Sequence, residues 1–163
     1  KGLEYMHTVT PPILHRDVRS PNILIQSLDY RGKVVGRLSD FGTARVLAPS
    51  IAGRDLFNPF WLAPEVMSSD LKYQVEYDQK IDIYSAGMVM WEAWTFHQPF
   101  SEYDEEMEGK PVFVLEDRIK EGLRPTVPEG CPYGDLMKQT WQRNPKDRPD
   151  TKTILQKLQS LLK

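Results

Sequence analysis

Polar side chains in the first quarter of the sequence are of types, and at a spacing, that could handle a proton and a hard metal ion. His15-Arg16-Asp17 is followed by Asn22, and Asp40-Phe41-Gly42 comes after a stretch able to turn back on itself. Oxygen ligands from Asn22 and Asp40 suit Mg²⁺, which keeps several waters and shares phosphate oxygens. Asp17 could accept a proton from an attacking hydroxyl, an effect typically worth about 10²–10⁴-fold in rate. Taken singly, a loop aspartate is more often a turn former or cap than a base. It is the combination of two carboxylates and an amide that points to chemistry.

Those residues need elements to bring them to one edge. Leu3, Met6 and His7 share a helical face, so residues 1–8 read as the end of a helix that Pro11-Pro12 stops. The β-rich run Ile23-Leu24-Ile25 and a second run, Val34 to Leu38, flank Arg31-Gly32-Lys33, which gives a β-hairpin over 23–39. Residues 42–62 lack periodicity and contain Pro49, Gly53 and Pro59, the pattern of a long functional loop. Residues 79–96 are apolar on nearly every face, which predicts a buried central helix. An unpaired carboxylate there would be costly, so Asp82, rather than Glu92, is the expected buried acceptor. Residues 112–121 and 133–143 have helical spacing. A final helix over 150–162 starts at the N-cap residue Asp150 and carries the stripe Ile154, Leu155, Leu158, Leu161 and Leu162. The acidic run Glu102 to Glu108 reads as a solvated loop, and His7 and His97 as structural or exposed. The expected fold class is mainly α with one small hairpin.

Composition narrows the function classes. The 163 residues are 40 % hydrophobic and 27 % charged, as in an ordinary globular domain. A formal charge of −2 argues against nucleic acid as a partner, because phosphate backbones select concentrated basic faces. For the same reason Trp61, Trp91, Trp94 and Trp141 read as core or platform residues rather than base-stacking ones. The single cysteine, Cys131, cannot form an internal disulfide, so a reduced, cytoplasmic setting is expected. The stretch Ile81 to Phe96 is too short and too interrupted to span a membrane.

The motifs resemble those of eukaryotic-type protein kinases. His15-Arg16-Asp17-Val18-Arg19-Ser20-Pro21-Asn22 is similar to the catalytic loop (15–22), and Asp40-Phe41-Gly42 to the metal-binding motif that opens the activation segment (40–65). Ala63-Pro64-Glu65 is similar to the motif that closes it. Asp82 to Gly87 and the Arg148 segment match further downstream, so the resemblance covers the whole chain. It implies a C-terminal kinase lobe, a helical bundle with the hairpin beside the catalytic loop, acting on a protein substrate with ATP and Mg²⁺. Asp17 would be the base, Asn22 and Asp40 the metal ligands, and Arg19 a positive charge near the transferred phosphate. Leu24 would lie beneath adenine. His15 would pack on Phe41, Glu65 would pair with Arg148, and Asp82 would hold the catalytic-loop backbone. Arg16 would read a phosphate on the activation segment, where Thr43 and Ser50 carry the hydroxyls.

Ser20-Pro21-Asn22, Phe60 to Glu65 and Glu121 to Thr126 are similar to the tyrosine-kinase-like group, and the long hairpin with Ser27-Leu28-Asp29 to the Roco, or leucine-rich-repeat, kinases. Serine/threonine specificity is the favoured reading. Arg19 keeps tyrosine specificity as an alternative, and Asn58 stands where such kinases usually carry a threonine, preserving hydrogen-bonding capacity. A pseudokinase or scaffold lobe is the alternative from another class, against which the intact Asp17, Asn22 and Asp40 argue. None of the ten glycines falls in a G-x-G-x-x-G pattern. The ATP-clamping N-terminal lobe is therefore expected upstream of Lys1, and residues 1–163 alone are expected to be nearly inactive. Such a lobe would expose an apolar face around Leu14 and Leu24 that seeks the N-terminal lobe or a second copy.

Overall fold

The computed structural model of the chain describes residues 1–27, 36–47, 58–67 and 78–161. In order along the chain come α1 (Gly2–Thr8), β1 (Ile13–Leu14), β2 (Ile23–Ile25), β3 (Gly36–Leu38), β4 (Arg45–Val46) and α2 (Pro64–Met67). They are followed by α3 (Lys80–Thr95), α4 (Asp104–Met107), α5 (Val112–Glu121), α6 (Gly134–Thr140) and α7 (Thr151–Ser160). The architecture is mainly α, as the sequence implies.

Helix α3 organises the rest. Its apolar residues leave few polar stripes for solvent, and Ile81, Ile83, Tyr84, Met88 and Trp91 are all buried. Around it gather Leu14, Val66, Phe100, Ile119 and Met137 from five other segments. Gly87 sets how closely α3 meets α6, since a Cβ there would stand 2.9 Å from the Cβ of Thr140. At the far end of the chain, the Asp150 carboxylate caps α7 by accepting the Thr153 backbone N–H at 2.7 Å.

Two short antiparallel ladders frame the front edge. In the hairpin, Ile23 faces Leu38, Leu24 faces Arg37 and Ile25 faces Gly36. Strand β1 pairs with β4, Ile13 opposite Val46 and Leu14 opposite Arg45. That second ladder carries no sequence signal, because two-residue strands are too short to show alternation.

Several expectations need correction. Leu14, placed by the sequence on an exposed apolar face, is 0 % exposed and belongs to the core. The central helix surfaces at its C-terminal end, where Trp94 is partly exposed and Phe96 is 89 % exposed. Of the α7 stripe Ile154 is buried, Leu155 and Leu158 are half-buried and Leu161 is exposed, while Leu162 lies outside the described residues. The acidic run is a turn followed by the single-turn helix α4, not an open loop. The hairpin's connection, and with it Val34, lies outside the described residues, as does Ser50.

Candidate active site

The loop between β1 and β2 hangs from one buried carboxylate. Asp82, in the first turn of α3, is wholly buried. Its Oδ1 accepts the Arg16 backbone N–H at 2.8 Å, and its Oδ2 accepts the His15 N–H at 2.9 Å. The imidazole of His7, on α1, donates to the same Oδ2 at 2.8 Å. Three donors from two segments therefore satisfy a group that would otherwise oppose burial. Arg16 is drawn so tightly into this arrangement that its φ is 70°, in the left-handed region that a non-glycine residue rarely occupies.

A second carboxylate, further along α3, holds the other side. Glu92 Oε1 accepts the Ser20 hydroxyl at 2.7 Å and its Oε2 accepts the Trp61 indole N–H at 3.2 Å. The Ser85 hydroxyl donates to the Trp61 carbonyl at 2.7 Å. One helix thereby fixes both the loop that carries Asp17 and the segment that faces it.

Asp17 and Asn22 are joined directly. The Asn22 side-chain amide donates to Asp17 Oδ2 at 2.7 Å and to the Asp17 carbonyl at 2.9 Å. Arg19 Nε donates to the same Oδ2 at 3.1 Å. Because these described bonds converge on Oδ2, Oδ1 is the oxygen that can take a proton from a bound hydroxyl. Asp40 reaches this edge through its neighbour. The backbone N–H and hydroxyl of Ser39 both donate to the Asn22 carbonyl, at 2.9 and 3.0 Å. Asp40 itself is exposed and left-handed, with φ 62°, and among the described residues its Oδ1 accepts a long 3.4 Å bond from the Gly42 N–H.

Asn22 uses its amide nitrogen on Asp17, which leaves its oxygen as the donor for a cation. Together with the Asp40 carboxylate it offers two hard oxygen ligands, a set that fits Mg²⁺ sharing phosphate oxygens. Among the described residues no group of three His, Cys, Asp or Glu side chains could hold a metal by protein ligands alone.

His15 is enclosed by the same network. Its Nε2 donates to the Ser39 carbonyl at 3.1 Å, its Nδ1 accepts from the Asp17 N–H at 3.4 Å, and its ring lies 5.3 Å from that of Phe41. Those two bonds select the tautomer with the proton on Nε2. The Arg16 guanidinium donates to the Thr43 carbonyl at 3.3 Å, and the Thr43 hydroxyl donates to the His15 carbonyl at 3.0 Å. Leu24 is 58 % exposed on β2.

Behind the site, Arg148 forms a two-pronged pair with Glu65, at 2.6 and 2.9 Å. Its guanidinium and that of Arg124 lie 5.2 and 5.1 Å from the Tyr84 ring. Burial pushes the Tyr84 phenol up to about 12. Its hydroxyl and Asn58 Oδ1 are buried without a hydrogen-bond partner among the described residues.

Sequence reasoning identified Asp82 but missed His7 and Glu92 as its working companions. For Glu92 the signal was present, since an acid inside an apolar helix must be paired. For His7 none was, because its partner lies 75 residues away.

A family model described as protein kinase domain matches residues 1–158. The chain is 44 % identical over 154 residues to the probable serine/threonine-protein kinase roco5 of Dictyostelium discoideum, covering 91 % of this chain. It is 36 % identical over 163 residues to roco8 and 38 % identical over 168 residues to roco7 of the same organism, both named probable serine/threonine-protein kinases, with 98 % and 100 % of this chain covered. The chain spans only 5 %, 8 % and 6 % of the lengths of these three relatives.

Proposed function

Because the chain belongs to the protein kinase family, we propose that it forms the base- and metal-bearing lobe of an enzyme that phosphorylates serine or threonine hydroxyls of proteins. The observation that carries the reading is the 2.7 Å bond joining Asn22 to Asp17 in a loop suspended from buried Asp82. A fixed carboxylate beside a fixed amide oxygen is what in-line phosphoryl transfer requires, since that chemistry is mostly positioning and charge stabilisation. The relatives' names, probable serine/threonine-protein kinases, favour serine and threonine over tyrosine.

Bound magnesium-ATP supplies the γ-phosphoryl group and the cation that offsets its charge. Asn22 and Asp40 would hold the cation, and Leu24 would offer an apolar surface to the adenine. Asp17 orients the substrate hydroxyl and accepts its proton on Oδ1. The hydroxyl oxygen bonds to the γ-phosphorus as the bond to the bridging oxygen breaks, and ADP departs. Arg19, held against Asp17, places a guanidinium where charge develops on the phosphoryl oxygens. The face carrying Leu24, Ile25 and Phe41, all exposed, is where an ATP-clamping lobe docks in this reading. Residues 1–163 alone lack a glycine-rich phosphate loop and by themselves transfer phosphate poorly.

The test is phosphorylation of serine, threonine and tyrosine peptides by the full-length protein with magnesium-ATP. Asp17→Asn should lower kcat by about 10²–10⁴-fold while leaving nucleotide affinity unchanged. Full activity in that variant rejects Asp17 as the base, and phosphate on tyrosine alone rejects the serine/threonine assignment.

A further inference from the structure

Ser20 has no part in the chemistry described above, yet it lies between Asp17 and Asn22 and opens the 3₁₀ turn Ser20–Asn22. Two backbone bonds close that turn, from the Asn22 N–H to the Arg19 carbonyl at 3.0 Å and from the Ile23 N–H to the Ser20 carbonyl. The turn folds the Asn22 amide back onto Asp17, where it donates at 2.7 Å. A 3₁₀ turn of three residues has little stability of its own, because its hydrogen bonds are poorly aligned. Its position must be fixed from elsewhere.

Glu92 supplies that support. Its Oε1 accepts the Ser20 hydroxyl at 2.7 Å, a short charge-assisted bond across 72 residues of sequence. The same carboxylate offers Oε2 to the Trp61 indole N–H at 3.2 Å. Trp61 is buried and lines a narrow cleft with Asp17, Val18 and Asn58, so it belongs to the segment that faces the base. A bond from the Ser85 hydroxyl to the Trp61 carbonyl, at 2.7 Å, seats that segment on α3. One carboxylate thus holds, on its two oxygens, the turn that sets the base and a residue of the segment opposite. Coupling between segments travels through such shared hydrogen-bond partners.

Resting on the kinase reading above, we propose that Ser20 is a positioning residue, and that Ser20, Glu92 and Trp61 form a relay in which seating of the segment before α2 tightens the turn holding Asn22 on Asp17. With Trp61 in place, Glu92 is gripped from two sides and its Oε1 keeps the Ser20 hydroxyl. With Trp61 displaced, the carboxylate turns toward water, the 3₁₀ turn loosens, and Asp17 loses the amide that orients it. The relay touches no substrate and moves no proton.

The experiment uses the full-length protein, a serine peptide and magnesium-ATP, with hydrogen–deuterium exchange read on the same samples. Ser20→Ala should lower kcat about tenfold and leave the peptide KM unchanged, while Ser20→Thr, which keeps the hydroxyl, should restore most of the rate. Trp61→Phe keeps an aromatic ring in the core and removes the indole N–H. It should lower kcat roughly threefold, and S20A/W61F should be no slower than S20A, because both changes act through Glu92. Exchange of the Asn22 and Ile23 amides should quicken in either single variant while that of α5 stays at the parent rate. A parent-like kcat in Ser20→Ala, equal losses in Ser20→Ala and Ser20→Thr, or additive losses in the double variant overturn the proposal. If the parent phosphorylates no peptide, the kinase reading fails and exchange alone judges the relay. Faster Asn22 and Ile23 exchange in Trp61→Phe then supports it, and an unchanged rate overturns it.

Discussion

The two halves of the candidate site are held by different means. The half containing Asp17 is buried and over-determined: Asp82 binds two successive backbone N–H groups, Glu92 holds Ser20 and Trp61, and Asn22 and Arg19 grip Asp17 itself. The half containing Asp40 is exposed, with Phe41, Leu24 and Ile25 facing solvent and, among the described residues, one long bond fixing the Asp40 carboxylate. Preorganisation of a base needs only the lobe that carries it. In the proposed function this second edge faces metal and nucleotide, and it would gain partners from what binds to it. The same contrast separates residues whose substitution should damage folding from those whose substitution should damage only binding.

The largest effect is expected where the buried half is anchored. Asp82→Ala would strand three buried donors, from His7, His15 and Arg16. Removing the acceptor from such a network costs about 3–5 kcal/mol. Asp82→Asn keeps one acceptor oxygen and the shape, and should cost roughly 1.5–3 kcal/mol. Urea denaturation of both variants measures this. An Asp82→Ala midpoint equal to that of the parent would mean the loop is held by something else.

How much of this was visible in the sequence follows the same division. The polar residues proposed to meet substrate and metal, Asp17, Asn22 and Asp40, lie in short local motifs and so could be singled out in the sequence, and helical periodicity placed α5 on the residues it occupies, Val112–Glu121. The props beneath them could not be read so directly. His7 meets Asp82 across 75 residues and Glu92 meets Ser20 across 72, and contacts of that separation leave no local pattern. Leu14 misled for a related reason. Beside a catalytic loop it looks like surface, but its pairing with Arg45 and its place against α3 draw it wholly inside. Phe96 misled in the opposite sense: it lies at the left-handed cap beyond α3, where the chain has already left the core.

A smaller effect, remote from both halves, separates global stability from anchoring of the loop. Hydrogen bonds from the Thr153 side chain and backbone hold the Asp150 carboxyl below its usual range. A carboxyl whose pKa is depressed by folding stabilises the native state above its unfolded pKa, and that contribution fades as pH falls through the folded value. Asp150→Ala should therefore cost about 1 kcal/mol near neutral pH. The gap between parent and variant should close once the solution is acid enough to protonate the cap. Chemical denaturation across a pH series shows it, and kcat per folded molecule should not change. A loss of kcat in Asp150→Ala would imply that α7, which lies against α1, transmits strain through His7 to the loop.

The smallest stability effect belongs to the exposed half, and it is the sharpest check on the contrast. Leu24 stands on β2 opposite Arg37 with most of its side chain in water. Truncating it removes little that the fold itself uses, so Leu24→Ala should shift stability by no more than about 0.5 kcal/mol. Its apolar surface is useful only once something covers it. If adenine does, the same substitution should weaken magnesium-ATP binding by about 1 kcal/mol, roughly fivefold in Kd. Calorimetric titration of the full-length protein reads the second quantity and urea denaturation the first. A variant that unfolds readily but binds nucleotide as before would make Leu24 a core residue and the two halves alike. Intact stability with weakened binding fits an edge completed by its ligand.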